Sequence, residues 1–239
     1  AARVSVVSAA GALDHDRVVD MVRETFKDLP AGAPAAREAA RYGGGDVRVN
    51  RDLEQVHITL GFEGLAYDDD DYYAASVLSA LLGGGMSSRL FQEIREKRGL
   101  VYTIYSYQSA YADGGLFGVY AGTGSDEVTE LMPLIADELN KVRVSVDEDE
   151  VARARAQLKA SILMSLESTS SRCEQLARQM LIYGRPVPAE EIVAKVDAVT
   201  AGDVVRVAER LFSTKPTLSA IGPLANLEAG DAFAARLSA

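Results

Sequence analysis

Residues 81–123 read LLGGGMSSRLFQEIREKRGLVYTIYSYQSAYADGGLFGVYAGT. A glycine run, a helical pattern, a lone glycine and two β-rich runs follow one another. The helix is SSRLFQEIREKR, with Ser87 or Ser88 placed to cap its N-terminus. Leu90, Phe91 and Ile94 recur at helical spacing and form its apolar stripe. At 100° per residue, Arg95 falls about 90° from the centre of that stripe, at the border of the core. Gly99 fits the left-handed position that ends a helix. Tyr102 opens VYTIYSYQSAY, which pairs with GLFGVYAGT as a hairpin turned at Ala112 to Gly115.

Arg95 and Tyr102 stand seven residues apart. A guanidinium donates forked hydrogen bonds to carbonyls or carboxylates and stays charged at any working pH. A phenol donates one hydrogen bond to a developing oxyanion without ionising. Together they suit holding a peptide carbonyl and stabilising a tetrahedral intermediate. Spacing alone favours a solvated helix-end arginine and a packing tyrosine, so the surrounding residues decide.

Those residues closely resemble the C-terminal half of the inverted-motif zinc peptidases, the pitrilysin and insulinase family that includes mitochondrial processing peptidase and its bacterial relatives. The resemblance covers essentially the whole chain and is most specific from Leu81 to Thr123. It implies an α+β fold, an antiparallel sheet with helices packed on one face. It implies that Arg95 anchors the substrate backbone and that Tyr102 binds substrate and steadies the oxyanion. The family's other half carries the H-x-x-E-H zinc motif and its Glu base. The expected partners are therefore a zinc-bearing N-terminal half or companion subunit, and a peptide substrate; a dimer is expected.

This chain departs from the zinc half. Its two histidines, His15 and His57, are 42 residues apart, and neither has a second His four residues away. A hydrolytic zinc site needs three protein ligands and an open position. The expectation is a surface histidine, a strand histidine, no metal ligands and no catalysis by this chain alone. Zinc is expected in the missing or partner half.

The 239 residues are 48% apolar, enough to bury a sizeable core. A net charge of −10 argues against nucleic acid and against docking on an anionic membrane. No apolar run approaches a transmembrane length. The lone Cys173 forbids an internal disulfide and reads as a small helix residue. Arginine outnumbers lysine 19 to 6, a bacterial, GC-rich flavour. The chain opens on a strand pattern, ARVSVVSA, with no visible signal peptide, which in a fragment says nothing about export; a soluble protein is expected, its compartment, cytoplasmic or periplasmic, left open.

An internal repeat sets the domain reading. Ser8-Ala9-Ala10-Gly11-Ala12-Leu13 is echoed by Ser219-Ala220-Ile221-Gly222-Pro223-Leu224, 211 positions on, each after a short apolar strand. Residues 1–30 then form the last strand and helix of a missing N-terminal half, with Val18, Val22 and Phe26 on one helix face. Residues 31–45 are an Ala/Gly/Pro linker, and 46–239 the peptidase-like domain. In that domain VHITLGFEG is the first strand, helices run from about Asp69 to Leu82 and from Ser125 to Val142, and TLSAIG is the last strand. Asp147 with Glu150 starts a long helix with a stripe of Val151, Ala154, Leu158, Ile162 and Leu166. Ser168 to Ser171 should break it, and shorter helices follow at Ala189–Val199 and Ala201–Phe212.

Two sharper readings fail. Gly83 to Ser88 lacks the Lys-Ser/Thr of a phosphate loop and reads as a tight connection between helices. Asp68 to Asp71 reads as helix-start carboxylates favoured by the macrodipole, not a calcium loop. Two other function classes stand beside the peptidase half: a non-catalytic scaffold or assembly subunit of the same family, and an unrelated α+β binding module. An H-x-x-E-H motif upstream or on a companion chain separates the first from the peptidase.

Overall fold

The computed structural model of the chain describes residues 5–30 and 38–238. They divide into two compact units: 40–158 with 195–238, and 5–39 with 159–194.

The larger unit is built on five strands: β1 (Gly45–Asn50), β2 (Val56–Gly64), β3 (Val101–Ala110), β4 (Gly115–Thr123) and β5 (Thr217–Gly222). Their order across the sheet is β1-β5-β2-β4-β3. β2 shows why the sheet has two unlike faces. Val56, Ile58, Leu60 and Phe62 are buried, while His57, Thr59 and Gly61 between them are only half-buried. Successive side chains of a strand point to opposite faces, so the alternation buries one face and leaves the other open.

The buried face packs against helices with apolar stripes of their own. α2 (Tyr72–Gly83) buries Val77, Leu78, Leu81 and Leu82; α3 (Val128–Val144) buries Leu131, Ile135 and Leu139; α7 (Ala201–Phe212) buries Val204, Val207, Leu211 and Phe212. Phe212 meets Phe62 and Phe117 edge-on, at ring separations of 5.0 and 5.5 Å. Such pairs add about 0.5–1.5 kcal/mol beyond burial. α8 (Gly230–Leu237) buries Phe233 and Leu237.

The expected α+β sheet with helices on one face is present, with one difference. β1 pairs parallel to β5, while the remaining pairs are antiparallel. β1 was hidden in the stretch expected to join linker and domain, because GDVRVN carries two charges and meets a strand over 160 positions away. Residues 5–10 of the expected opening strand belong to no strand; residues 1–4 and 31–37 lie outside the described residues.

Two local readings change. Asp69 and Asp71 do more than face the start of α2: they pair with Arg210 at 2.8 Å and with Arg206 at 2.7 Å, tying that start to α7. Gly83 ends α2 against a strand rather than a helix. A Cβ there would lie 2.2 Å from the backbone N of Ser106 in β3.

The smaller unit holds α1 (His15–Phe26), α5 (Thr169–Tyr183) and parts of α4 (Glu148–Ser165) and α6 (Ala189–Asp197). Ser168 breaks the long helix as expected: its side chain accepts from the backbone N–H of Ser171 and caps α5. Cys173 lies in α5, where its backbone carbonyl accepts from the Ser8 hydroxyl at 2.7 Å. α1 is amphipathic yet has no buried residue.

Candidate functional site

The helix that carries Arg95 is wound wider than expected. From Phe91 to Glu96 it is a π-helix, and the Lys97 N–H donates to the Gln92 carbonyl five residues back, at 3.1 Å. Such wide turns are rare and recur at functional sites. Leu90 and Ile94 are fully buried and fix the segment to the core, and Phe91 is half-buried. Neither serine caps as expected. The Ser88 hydroxyl donates to the Gly85 carbonyl at 2.6 Å, so its oxygen is turned away from the helix N–H groups.

Arg95 is exposed, with its guanidinium carbon 4.8 Å from the centroid of the Phe91 ring one turn back. Stacking of this kind holds a guanidinium in place while leaving its N–H edge free. Gly99 then ends the helix at φ +66°, and its N–H donates to the Arg95 carbonyl at 3.0 Å. The backbone of Arg95 is thereby fixed by the glycine that turns the chain into β3.

Tyr102 occupies an irregular place. Val101 pairs with Thr123 and Thr103 with Gly122, which leaves Tyr102 as the extra, unpaired residue of a β-bulge. β3 is an edge strand, and the Tyr102 side chain is 70% exposed. A bulge re-aims a side chain relative to the strand's alternation. Helix end, glycine turn and bulge thus present a stacked arginine and an extended tyrosine to solvent from adjoining segments.

The open face of the sheet continues from there, with a feature that the linear reading missed. Tyr105 of β3 stacks on Tyr120 of β4, with ring centroids 5.0 Å apart and planes at 29°. The Tyr120 hydroxyl lies 2.7 Å from Nδ1 of His57 in β2. Tyr107 lies across Gly118, where a Cβ would meet its ring at 2.3 Å. Burial raises the phenols of Tyr107 and Tyr120 above their ordinary range, and proximity to Tyr105 adds to this. The alternation of Tyr105 and Tyr107 was visible in the sequence; Tyr120 and His57 join them only once strand order is known.

One end of this face is bounded by residues 40–44. The Ala40 N–H donates to Asp113 at the β3–β4 turn, and the Tyr42 hydroxyl donates to the Gly61 carbonyl, both at 2.8 Å. Tyr42 also meets the Thr217 hydroxyl at 2.8 Å.

A hydrolytic zinc ion does not fit this chain's residues. His57 sits on the sheet with a tyrosine as its neighbour, and His15 opens α1 in the other unit. No group of three or more His, Cys, Asp or Glu side chains converges as a metal site among the described residues. No helix among them is long and apolar enough to cross a membrane.

Residues 3–158 match the family profile described as "Peptidase M16 inactive domain". The chain belongs to the M16 peptidase family. An uncharacterized zinc protease of Streptomyces coelicolor is 42% identical to this M16 domain, over 94% of it and 51% of the relative. The uncharacterized zinc protease YmxG of Bacillus subtilis is 34% identical, over 93% and 54%. A probable mitochondrial-processing peptidase subunit beta of Arabidopsis thaliana is 36% identical, over 93% and 45%. The M16 chain therefore spans about half the length of the curated relatives it matches. In three dimensions it resembles a chain of complex III2 from Candida albicans, with a TM-score of 0.85 at 24% identity over 94% of this chain and 56% of that one.

Proposed function

We propose that this chain is the non-zinc half of a zinc endopeptidase, inactive by itself, which holds a peptide backbone with Arg95 and steadies the oxyanion of peptide hydrolysis with Tyr102. The observation that carries the reading is the bulge: an edge strand sets aside one unpaired residue, and that residue is an exposed tyrosine seven positions after a stacked arginine. A guanidinium held by an aromatic ring gives up little freedom on binding a carbonyl. A phenol on a bulge can approach an incoming peptide without disturbing the strand pairing. The relatives named zinc proteases favour this over a purely scaffolding role.

The water-activating metal would come from a preceding half or a companion chain. Two comparisons support a preceding half of the same fold, with residues up to about 30 as its last strand and helix. Gly11 and Gly222 occupy corresponding repeat positions and share an unusual backbone, φ +132° and +135°. Their surroundings differ: a Cβ on Gly222 would lie 2.4 Å from the Gln55 carbonyl oxygen, whereas Gly11 has nothing within 4 Å. Leu13 is 45% exposed where Leu224 is 9%, and Phe26 is 47% exposed where Leu237 is 4%. The first copy keeps the glycine backbone and the following helix of the second, but among the described residues it has neither its strand nor its burial.

The test is Tyr102→Phe in the protein assembled with its zinc-bearing half. Loss of one oxyanion donor lowers kcat by about 10²–10³ with little change in KM. A near-normal kcat removes the tyrosine from the reaction, and absence of peptide hydrolysis by the wild-type assembly removes the peptidase reading.

A further inference from the structure

The open face of the sheet has a composition unlike the rest of the chain. Asp, Glu, Lys and Arg make up 25% of all residues. By strand register, the open-face positions are His57, Thr59, Gly61 and Glu63 on β2 and their lateral partners on the other four strands. Glu63, near the far end of β2, is the one Asp, Glu, Lys or Arg among them. Depletion of charge with enrichment in tyrosine marks the core of a binding surface rather than ordinary solvated surface. Aliphatic residues on this face are few, and Tyr, Thr, Ser and Gly prevail. A permanently buried interface is more hydrophobic than this. Tyrosine over glycine, flanked by small hydroxyls, suits varied partners: the rings give large rigid contact at small entropic cost, and the hydroxyls adapt.

We propose that this face is a side-chain recognition surface for extended, uncharged peptide segments, with Tyr105 as the ring on which an aromatic residue of the peptide stacks. Tyr105 is 42% exposed on one side and stacked on Tyr120 on the other, so it is already held in place. Tyr120 is itself fixed by His57 at 2.7 Å. Tyr105 lies three residues along β3 from Tyr102, at most about 10–11 Å of extended chain, or a few residues along a bound peptide. A charged side chain over these rings loses hydration, and the one charged residue of the face, Glu63, stands at the far end of β2, four residues along the strand from the Tyr120 partner Thr59. The occupant is identified as substrate by the peptidase reading above; the preference for uncharged, aromatic segments comes from the face alone.

The test separates the two. The full-length protein with its zinc-bearing half is titrated with two short fluorescein-labelled peptides, identical except for a central Phe or Glu, and cleavage of both is followed in parallel. The Phe peptide binds more tightly. Tyr105→Ala weakens it about three- to tenfold and leaves the Glu peptide unaffected. Tyr105→Phe, which keeps the ring, restores the difference. Leu116→Glu, a substitution at a 41% exposed position of the same face, weakens the Phe peptide as well. Equal affinity for the two peptides, or an equal loss for both in Tyr105→Ala, overturns the inference even if both are cleaved, and the peptidase reading then stands. Ring-dependent discrimination without cleavage leaves the recognition surface in place and removes the peptidase reading. Binding of neither peptide overturns the recognition surface.

Discussion

Arg89 grips Glu150 with two hydrogen bonds, Nε to Oε1 at 2.9 Å and Nη2 to Oε2 at 2.7 Å. Both side chains are largely withdrawn from solvent. Arg89 precedes the π-helix, and Glu150 also accepts from the Asp147 N–H at the start of α4. The pair joins the segment that carries Arg95 to the helix behind it. The Arg89 guanidinium, and next the Asp147 N–H, hold the Glu150 carboxyl below its ordinary range. Glu150→Gln removes the charge and leaves the guanidinium poorly matched. The expected loss is about 1–3 kcal/mol of unfolding free energy, read as a lower midpoint in urea. An unchanged midpoint would mean that the pair contributes nothing net.

Arg95 is expected to resist its nearest replacement. Arg95→Lys keeps the charge but loses the planar fork and the stacking on Phe91. In the assembled protein it should lower kcat/KM for peptide cleavage about tenfold, as loss of one charge-assisted hydrogen bond would. Arg95→Ala should lower it further. If lysine serves as well as arginine, the role is a point charge and not a fork.

Glycine requirements differ sharply between two sites. Gly83→Ala drives a Cβ to 2.2 Å from the Ser106 backbone, where no side chain can swing away. Overpacking of this kind costs about 1–3 kcal/mol. Gly114→Ala meets nothing within 4 Å and should stay within about 1 kcal/mol of the parent. Thermal melts of the two variants side by side check the contrast.

Acid should loosen α7 in a defined window. The Thr200 hydroxyl and backbone N–H donate to Asp203, and Arg206 lies beside it, so its carboxyl drops to about 2. Its folded pKa lies below the unfolded value of about 3.9, so the stabilisation is whole above about pH 4. It is lost as pH falls from there toward about 2. Thr200→Val breaks the capping box and should cost about 0.5–2 kcal/mol at neutral pH. It should also flatten the fall in melting temperature between pH 4 and 2; an unaltered slope would assign that fall to other carboxylates.

Much of the hairpin was legible in the sequence. Alternation in VYTIYSYQSA and GLFGVYAGT, with glycines between, fixes β3 and β4, and Gly99 marks the helix end by its left-handed backbone. These signals are local. What stayed hidden depends on neighbours far along the chain. The π winding at Phe91–Glu96 follows from hydrogen bonding and packing, which leave no trace in periodicity. Asp69 and Asp71 find their partners in Arg206 and Arg210, more than 130 positions later. The bulge at Tyr102 needs the register of β4, and the His57–Tyr120–Tyr105 array needs the order of three strands.

The strand order also dictates when this domain can be finished during synthesis. β5, the last strand made, sits between β1 and β2. Until Gly222 has left the ribosome, β1 has no neighbour to pair with and β2 carries one bare edge. At about 5–20 residues per second that interval lasts on the order of ten seconds or more. The nascent chain must spend it with an incomplete sheet, and an agent that shields the facing edges of β1 and β2 acts on this protein then, before β5 fills the gap between them.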